Sequence, residues 1–157
     1  HELVHALQQQ RFDARRLVEE SETNQDRELA MTALLEGDAQ LSSTLYASAN
    51  LSLAEMMEML SKAEESGVEA FQSAPDVIQK TLLIPYQAGA AFVSSVQQNP
   101  GIWRQVNQLY ARPPVSTEQI LHPAKYQAGE EPIPVSLPGG ASLIAEDWEL
   151  VMEDVFG

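Results

Sequence analysis

The chain has 157 residues, enough for one compact domain over residues 1–157 and too few for two independent ones. Its 23 acidic residues against 9 basic ones give a net charge of -14, which argues against nucleic acid or an anionic membrane surface as a partner. The lack of cysteine excludes disulfides and thiolate metal sites, so any metal must be held by histidine and carboxylate. No stretch approaches the roughly 20 apolar residues that cross a bilayer.

The N-terminal part of the chain has the periodicity of helices. Apolar residues at helical spacing predict one amphipathic helix over residues 3–18, and a polar break follows at 19–25. A second helix is predicted over residues 26–47, with Asp26 as its N-cap. Gly37 lies inside this helix at a cost of about 1 kcal/mol relative to alanine, which indicates close packing there.

The middle of the chain is also predicted to be helical. The sequence SLAE at 52–55 is a capping box, and it predicts a third helix that ends at Gly67. Pro75 and Pro85 are predicted to begin two separate helices, because proline is favoured in the first helical turn. The turn sequence NPG at 99–101 is expected to stop the second of them.

Shorter elements follow. Helices are predicted over residues 102–110 and 116–121, the second begun by a serine or threonine and closed by Pro123. The alternation at 133–138 favours an extended edge segment, and residues 143–156 are predicted to form a last amphipathic helix. The sequence therefore predicts a mainly α domain with little sheet.

The chain opens with HELVHALQQQ, which contains the pattern H-E-x-x-H. His1 and His5 are four residues apart, so a helix directs both imidazoles from one face toward one ion. Glu2 is then near enough to a zinc-bound water to take its proton as general base. This spacing predicts a zinc-dependent hydrolase, in particular a peptidase in which Glu2 activates that water.

A catalytic zinc needs a third protein ligand and an open position. His122 is the one other histidine, so either it or a carboxylate must serve. Residues 6–11 lack the glycine and the third histidine of the metzincin continuation, which favours glutamate. Glu36 lies in an apolar stretch of the second helix, where an unpaired carboxylate is costly to bury. The adjacent Gly37 would let that helix approach the first one closely.

A tetrahedral oxyanion needs a hydrogen-bond donor opposite the metal. The first candidates are Tyr86 in IPYQAG and His122 in ILHPAKY, with Tyr110 and Tyr126 behind them. A ligand imidazole also needs a partner for its second nitrogen, and Asp38 or Asp13 could orient it.

These motifs carry a resemblance to a known group of enzymes. HELVHALQQQ with ALLEGDA resembles the gluzincin clan of zinc metallopeptidases, and HELVHALQ, EGDA, IPYQAG and STEQILHPAKY together resemble a largely uncharacterised bacterial family of zincin-like proteins. The resemblance covers residues 1–134. It implies a zincin fold, with His1, His5 and Glu36 as ligands of Zn²⁺ and Glu2 as base, but it does not imply a substrate. The peptidase chemistry of H-E-x-x-H is what leads us to expect a peptide or protein substrate. It also leans toward a secreted or cell-envelope location.

Zincins carry a small sheet before the active-site helix, and its edge strand binds extended peptide. The chain begins on the first residue of its motif and without an initiator Met, so we expect an excerpt of a longer polypeptide that lacks this sheet. If the excerpt is the whole molecule, the substrate cleft is incomplete. The second hypothesis is accordingly a catalytically silent zincin-like binding or structural module, although an intact Glu2 favours the enzyme.

Each candidate also has an ordinary structural interpretation. H-E-x-x-H occurs by chance as a polar helix start, and Glu36 could be a solvated helix residue. A histidine such as His122, placed before a proline, is more typical of a loop or cap than of a catalytic site. The Met56, Met57 and Met59 cluster is expected to fill the core on the third helix.

Overall fold

A computed structural model describes residues 1–22, 24–64, 68–97, 103–135 and 151–155. This part of the chain contains nine α-helices and no β-strand, so the prediction of a mainly α fold is confirmed. In chain order the helices are α1 Glu2–Phe12, α2 Ala14–Ser21, α3 Gln25–Asn50, α4 Leu53–Glu64, α5 Val68–Ser73, α6 Asp76–Val96, α7 Arg104–Leu109, α8 Thr117–Leu121 and α9 Pro123–Ala128. None of these described helices is both long and apolar enough to pass through a membrane.

The two longest helices, α3 and α6, pack against each other more extensively than any other described pair. Gly37 of α3 faces Gly89 of α6, and a Cβ on either glycine would overlap the backbone of the opposite helix. The close packing predicted at Gly37 is therefore present. The predicted partner helix was wrong, however, because the helix that approaches Gly37 is α6 and not α1.

One cluster of buried side chains joins α3 and α6 to the shorter helices. Its members are Leu17, Ala30, Met31, Ala33, Leu34, Phe92, Val93, Val106, Leu109, Tyr110, Ile120 and Tyr126. They come from α2, α3 and α6, from α7 and its C-cap, and from α8 and α9. This core holds α3 in place. Other faces of α3 contact α1 and line a groove.

The predicted helix over residues 3–18 is two helices in the structure. Asp13 separates α1 from α2 with a left-handed backbone, φ 54° and ψ 56°. Aspartate is one of the few residues other than glycine that visit this conformation readily. The break redirects the chain so that α1 and α2 each pack on α3.

Helix α6 is one continuous helix where the sequence predicted two. Pro75 is the N-cap, and Pro85 lies buried within the helix. An internal proline removes one backbone hydrogen bond and costs about 3 kcal/mol. Burial of α6 against α3 outweighs that cost, and the helix continues to Val96.

The start of α3 also differs from the prediction. Asn24 caps the helix, with its side-chain oxygen accepting a 2.8 Å hydrogen bond from the backbone nitrogen of Arg27. Asp26 is instead buried and accepts from the backbone nitrogen of Thr117 at 2.8 Å and from its hydroxyl at 2.6 Å. Asp26 thus ties α8 to the first turn of α3.

Two predicted helix starts are confirmed. Ser52 and Glu55 form the capping box, since the Ser52 nitrogen donates to Glu55 at 2.8 Å and the Glu55 nitrogen donates to the Ser52 hydroxyl at 3.3 Å. Ser116 caps α8 by accepting from the Gln119 nitrogen. The predicted end of this helix before Pro123 is also observed, since α8 ends at Leu121. Pro123 then begins α9, where a proline in the first turn loses no helical hydrogen bond.

Helix α4 packs only lightly on the other described helices. Met57 and Met59 are 62% and 52% exposed, so the prediction that they fill the core is wrong for both. Both methionines are left on the surface because no described helix packs closely on α4.

The described C-terminal residues, 151–155, are not helical, contrary to the prediction for that segment. They lie against the first turn of α3, where the Gln25 nitrogen donates to Asp154 at 2.8 Å and the Asp26 nitrogen donates to the Val155 carbonyl at 2.9 Å. Capping the free amides of α3 replaces the helical hydrogen bonds that these residues would otherwise make.

Residues 133–135 of the predicted extended segment have no regular secondary structure. Some predictions concern residues outside the described part of the chain. They are the rest of the extended segment at 136–138, the final helix at 143–150 and 156, and the helix ends at Gly67 and at 99–101.

Candidate metal centre

The first turn of α1 and the middle of α3 bring the three predicted ligands together. Nε2 of His1 lies 3.0 Å from Oε2 of Glu36. Nε2 of His5 lies 3.1 Å from Nε2 of His1 and 3.4 Å from the same carboxylate oxygen of Glu36. A tetrahedral zinc with bonds of 2.0 to 2.1 Å separates its ligand atoms by about 3.3 to 3.4 Å. The triangle of ligand atoms therefore has nearly the size that zinc requires.

The cluster is partly sheltered and open on one side. The side chains of His1, His5 and Glu36 are 28%, 30% and 20% exposed. Two imidazoles and one carboxylate are a donor set that suits Zn²⁺, and the open side leaves a position for a water or substrate oxygen. Within the described residues this is the one group of three or more His, Asp or Glu side chains with metal-binding spacing.

The packing of α3 on α6 determines where Glu36 lies. Gly37, the next residue, is in contact with Gly89, which holds the two backbones together at this level. Tyr86 precedes Gly89 by three residues, or nearly one helical turn, so it lies on a neighbouring part of α6. The glycine contact therefore brings a carboxylate of α3 and a phenol of α6 to one place.

Gln8, buried to 2% exposure, holds His5 from behind. Its amide nitrogen donates to the Leu35 carbonyl and to Asp38, both at 3.0 Å. Because a carbonyl and a carboxylate only accept, both amide hydrogens are used and Oε1 must face Nδ1 of His5, 2.9 Å away. The Nδ1 atom of His5 is then the donor, and in the neutral ring the Nε2 lone pair faces His1 and Glu36.

Asp38, predicted as a partner of a ligand imidazole, acts through Gln8 and not directly. It also accepts a short hydrogen bond from the hydroxyl of Tyr110. Burial and the neighbouring Asp38 carboxylate raise the pKa of Tyr110 well above its usual value, so the phenol stays protonated. The Tyr110 ring stacks on Phe12 at 4.0 Å between centroids, which anchors the end of α1.

The alternative partner, Asp13, does not approach the cluster. Its carboxylate accepts a 3.1 Å hydrogen bond from Gln9 and pairs with Arg16 at 3.6 Å on the exposed side of the α1–α2 junction. The left-handed backbone at Asp13 turns the chain there, so this residue has a conformational role. We therefore exclude Asp13 as a partner of the ligand histidines.

Tyr86 borders the cluster. Its ring centroid lies 6.1 Å from that of His1, and the side chain is half-exposed in the same groove. Burial, followed by the nearby carboxylates of Glu36 and Glu2, raises the pKa of the Tyr86 phenol. Tyr86 is therefore a neutral hydrogen-bond donor across the physiological pH range, beside the three ligand side chains.

The remaining sequence candidates separate into one at the groove and two elsewhere. Glu2 is exposed and lines the groove beside the histidines. His122, predicted as a catalytic donor, is not among the described residues that line the groove; it joins α8 to α9, where its backbone nitrogen donates to Glu118. Tyr126 is buried and donates to the Arg112 carbonyl at 2.7 Å. Tyr126 therefore has a structural role, and His122 lies outside the groove, contrary to its prediction as a catalytic donor.

The cluster opens into a groove of about 880 Å³ between α3 and α4. Met56 and Met59 of α4 line it opposite α3, with Tyr86 of α6 at the side of the cluster. The sequence interpretation missed this contribution of α4. It also missed Gln8, although a residue three positions after His5 on a helix shares its face.

Comparisons of the chain with models of protein families, with curated proteins and with solved structures find no match. What the cluster can do is therefore inferred from its geometry and from the motifs alone.

Proposed function

We propose that this chain is a zinc-dependent metallohydrolase of gluzincin type, and specifically a peptidase. One observation carries the proposal: the ligand atoms of His1, His5 and Glu36 form a triangle with sides of 3.0, 3.1 and 3.4 Å. A cluster of this size with an open side fits the catalytic arrangement of three protein ligands and one exchangeable position. The zincin-like fold belongs to the same proposal.

Bound zinc would polarise a water molecule and the substrate carbonyl, which makes attack possible at neutral pH. Glu2 takes a proton from the attacking water, and the resulting oxygen forms a bond to the carbonyl carbon of the amide. Glu2 then gives that proton to the leaving nitrogen as the carbon–nitrogen bond breaks. One water is consumed, and a carboxylic acid and an amine are released.

Two further side chains assist the hydrolysis without gaining or losing a proton. Tyr86 donates its phenolic hydrogen to the oxygen that becomes negative in the transition state, because its side chain lines the groove beside His1. Gln8 holds the Nδ1 hydrogen of His5 and so keeps Nε2 of His5 available to the metal.

Replacement of Glu2 by glutamine tests the proposal. Glu2→Gln should bind zinc as the parent does, while its cleavage of a mixture of internally quenched peptides should fall about 10²- to 10⁴-fold. Glu28→Gln, at an exposed position on α3, is the matched control and should leave cleavage unchanged. If the zinc-loaded parent cleaves no peptide in the mixture, the chain is the catalytically silent module and the enzyme proposal is wrong.

A further inference from the structure

We infer that the groove beside the cluster selects substrates with a large apolar side chain adjacent to the cleaved amide. This inference rests on the proposed function, because it takes the amide to be hydrolysed at His1, His5 and Glu36.

One wall of the groove is a single face of α3 that begins at the metal ligand. Gln40, Thr44 and Ser48 follow Glu36 at steps of four residues, so all four lie along one side of the helix. From Glu36 to Ser48 the helix rises about 18 Å. An extended chain of about five residues has the same length, so a peptide segment can lie along this wall.

Two of the three hydroxyl groups on this wall, those of Thr44 and Ser48, are used within the helix, whereas the buried Ser43 hydroxyl has no partner among the described residues. The Thr44 hydroxyl donates to the Gln40 carbonyl at 2.8 Å, and the Ser48 hydroxyl donates to the Thr44 carbonyl at 2.7 Å. Because these two hydrogens are already engaged, the wall offers a ligand the Gln40 amide and otherwise mainly methyl and methylene groups. Ala47, between Thr44 and Ser48, adds another methyl group.

The opposite wall is formed by Met56 and Met59 of α4. Met59 is 52% exposed, so an apolar side chain bound here would remove apolar surface of both partners from water. Unbranched thioether side chains also adjust to ligands of different shape. The methionines therefore favour large apolar groups as a class over one particular side chain.

The distribution of charge disfavours substrates with an acidic or a basic side chain at this position. Glu2 and Glu36 lie at the metal end of the groove, and the chain as a whole carries a net charge of -14, so an acidic side chain is repelled. Beyond that end, the described lining residues of α3 and α4 carry no charge, so a lysine or arginine finds no carboxylate to pair with. Charge therefore favours an uncharged side chain, and among these the methionine wall favours an apolar one.

Binding of three hydroxamates tests the inference without requiring turnover. Acetohydroxamate, N-acetyl-leucine hydroxamate and N-acetyl-glutamate hydroxamate all chelate zinc and differ in the side chain beside the chelating group. Their dissociation constants for the zinc-loaded chain would be measured by calorimetric titration. The leucine compound should bind about tenfold or more tighter than acetohydroxamate, and the glutamate compound no tighter than acetohydroxamate.

Two variants of α4 locate the effect. Met59→Ser should weaken binding of the leucine compound about threefold or more and leave acetohydroxamate unaffected, because the chelating contact is unchanged. Met57→Ser is the matched control, since Met57 is exposed on the same helix but does not line the groove. It should leave all three affinities as they are.

The outcomes separate the two proposals. Equal binding of the leucine and glutamate compounds, with acetohydroxamate bound normally, overturns the apolar preference and leaves the metal centre intact. Equal effects of Met59→Ser and Met57→Ser overturn the assignment of the groove. If none of the three hydroxamates binds after zinc loading, the proposed metal centre is wrong, and the inference fails with it.

Discussion

Nδ1 of His5 donates a hydrogen bond to Oε1 of Gln8 over 2.9 Å, and this bond leaves Nε2 of His5 for the proposed metal ion. Gln8 is itself fixed, because its amide nitrogen is held by Asp38 and the Leu35 carbonyl. The orientation of one proposed ligand is thus set by the interior of the protein. Such partners of ligand histidines commonly contribute 10- to 100-fold to metal affinity.

Gln8→Met tests this relationship, because methionine nearly preserves the volume and removes both the acceptor and the donors. Zinc affinity, measured by competition with a chelating dye, should fall about 10- to 100-fold. Gln10→Met, at an exposed position of α1, should leave affinity unchanged. Equal affinity in the two variants would show that Gln8 does not orient His5.

Tyr110→Phe should lower stability at neutral pH by about 1 to 3 kcal/mol, because the buried Asp38 carboxylate loses a donor. The pKa of Tyr110 is raised in the folded state, so its contribution is complete below the ordinary tyrosine pKa of about 10 and is lost as pH rises above it.

Urea titrations of both proteins from neutral to alkaline pH measure this directly. Above about pH 10 the parent should lose stability faster than the variant, by up to about 1.4 kcal/mol per pH unit. Parallel loss of stability in the two proteins would contradict the assignment of the raised pKa to Tyr110.

Gly37→Ala should destabilise the fold by about 3 kcal/mol or more, because the added methyl group overlaps the Gly89 carbonyl. The same change in an exposed helix would instead stabilise by about 1 kcal/mol. Gly129→Ala gives a comparison, since Gly129 has φ 66° and open space around it, so strain of about 1 to 2 kcal/mol is expected. Thermal unfolding in which Gly37→Ala is the milder of the two would refute the close contact of α3 and α6.

Tyr86→Phe should retain zinc and lower kcat about 10²- to 10³-fold, the usual effect of removing one oxyanion donor. KM should change little, because the hydrogen bond strengthens mainly in the transition state. Steady-state kinetics on a cleaved quenched peptide provide both values, with His122→Phe as the control outside the groove. An equal loss in both variants would remove Tyr86 from the catalytic assignment.

The three side chains proposed as ligands could be singled out from sequence because their signals are local. His1 and His5 are four residues apart in a helix, and Glu36 is an acid in an apolar stretch beside a glycine. The structure brings these three side chains together. In contrast, no local signal indicates that Gly37 packs on Gly89. A glycine inside a helix indicates that another backbone approaches closely, but it does not indicate which segment of the chain that backbone belongs to.

Gln8 illustrates a second limit. It is one of three consecutive glutamines, Gln8, Gln9 and Gln10, and composition cannot distinguish them. Only the burial of Gln8 against α3 makes its amide a partner of both His5 and Asp38. Helical phase places Gln8 on the face of His5, but burial of that face depends on a contact distant in sequence.

The predicted helix boundaries were wrong where tertiary contacts outweigh local conformational preference. Asp13 adopts a left-handed backbone that breaks a periodic stretch, and Pro85 is retained inside a helix that packing stabilises. His122 and Tyr86 were equal candidates in sequence because each side chain can donate a hydrogen bond to an oxyanion. The fold distinguishes them, since only Tyr86 lies on a helix that reaches the cluster.

The most direct test of the metal centre is zinc content by elemental analysis of the parent chain, Glu36→Ala and Glu28→Ala after zinc loading and gel filtration. The parent and Glu28→Ala should each retain about one zinc per chain, and Glu36→Ala should retain almost none, because two imidazoles alone do not complete a stable site. Retention of zinc by Glu36→Ala at the level of the parent, or its absence from all three proteins, would contradict the assignment of His1, His5 and Glu36 as the metal ligands.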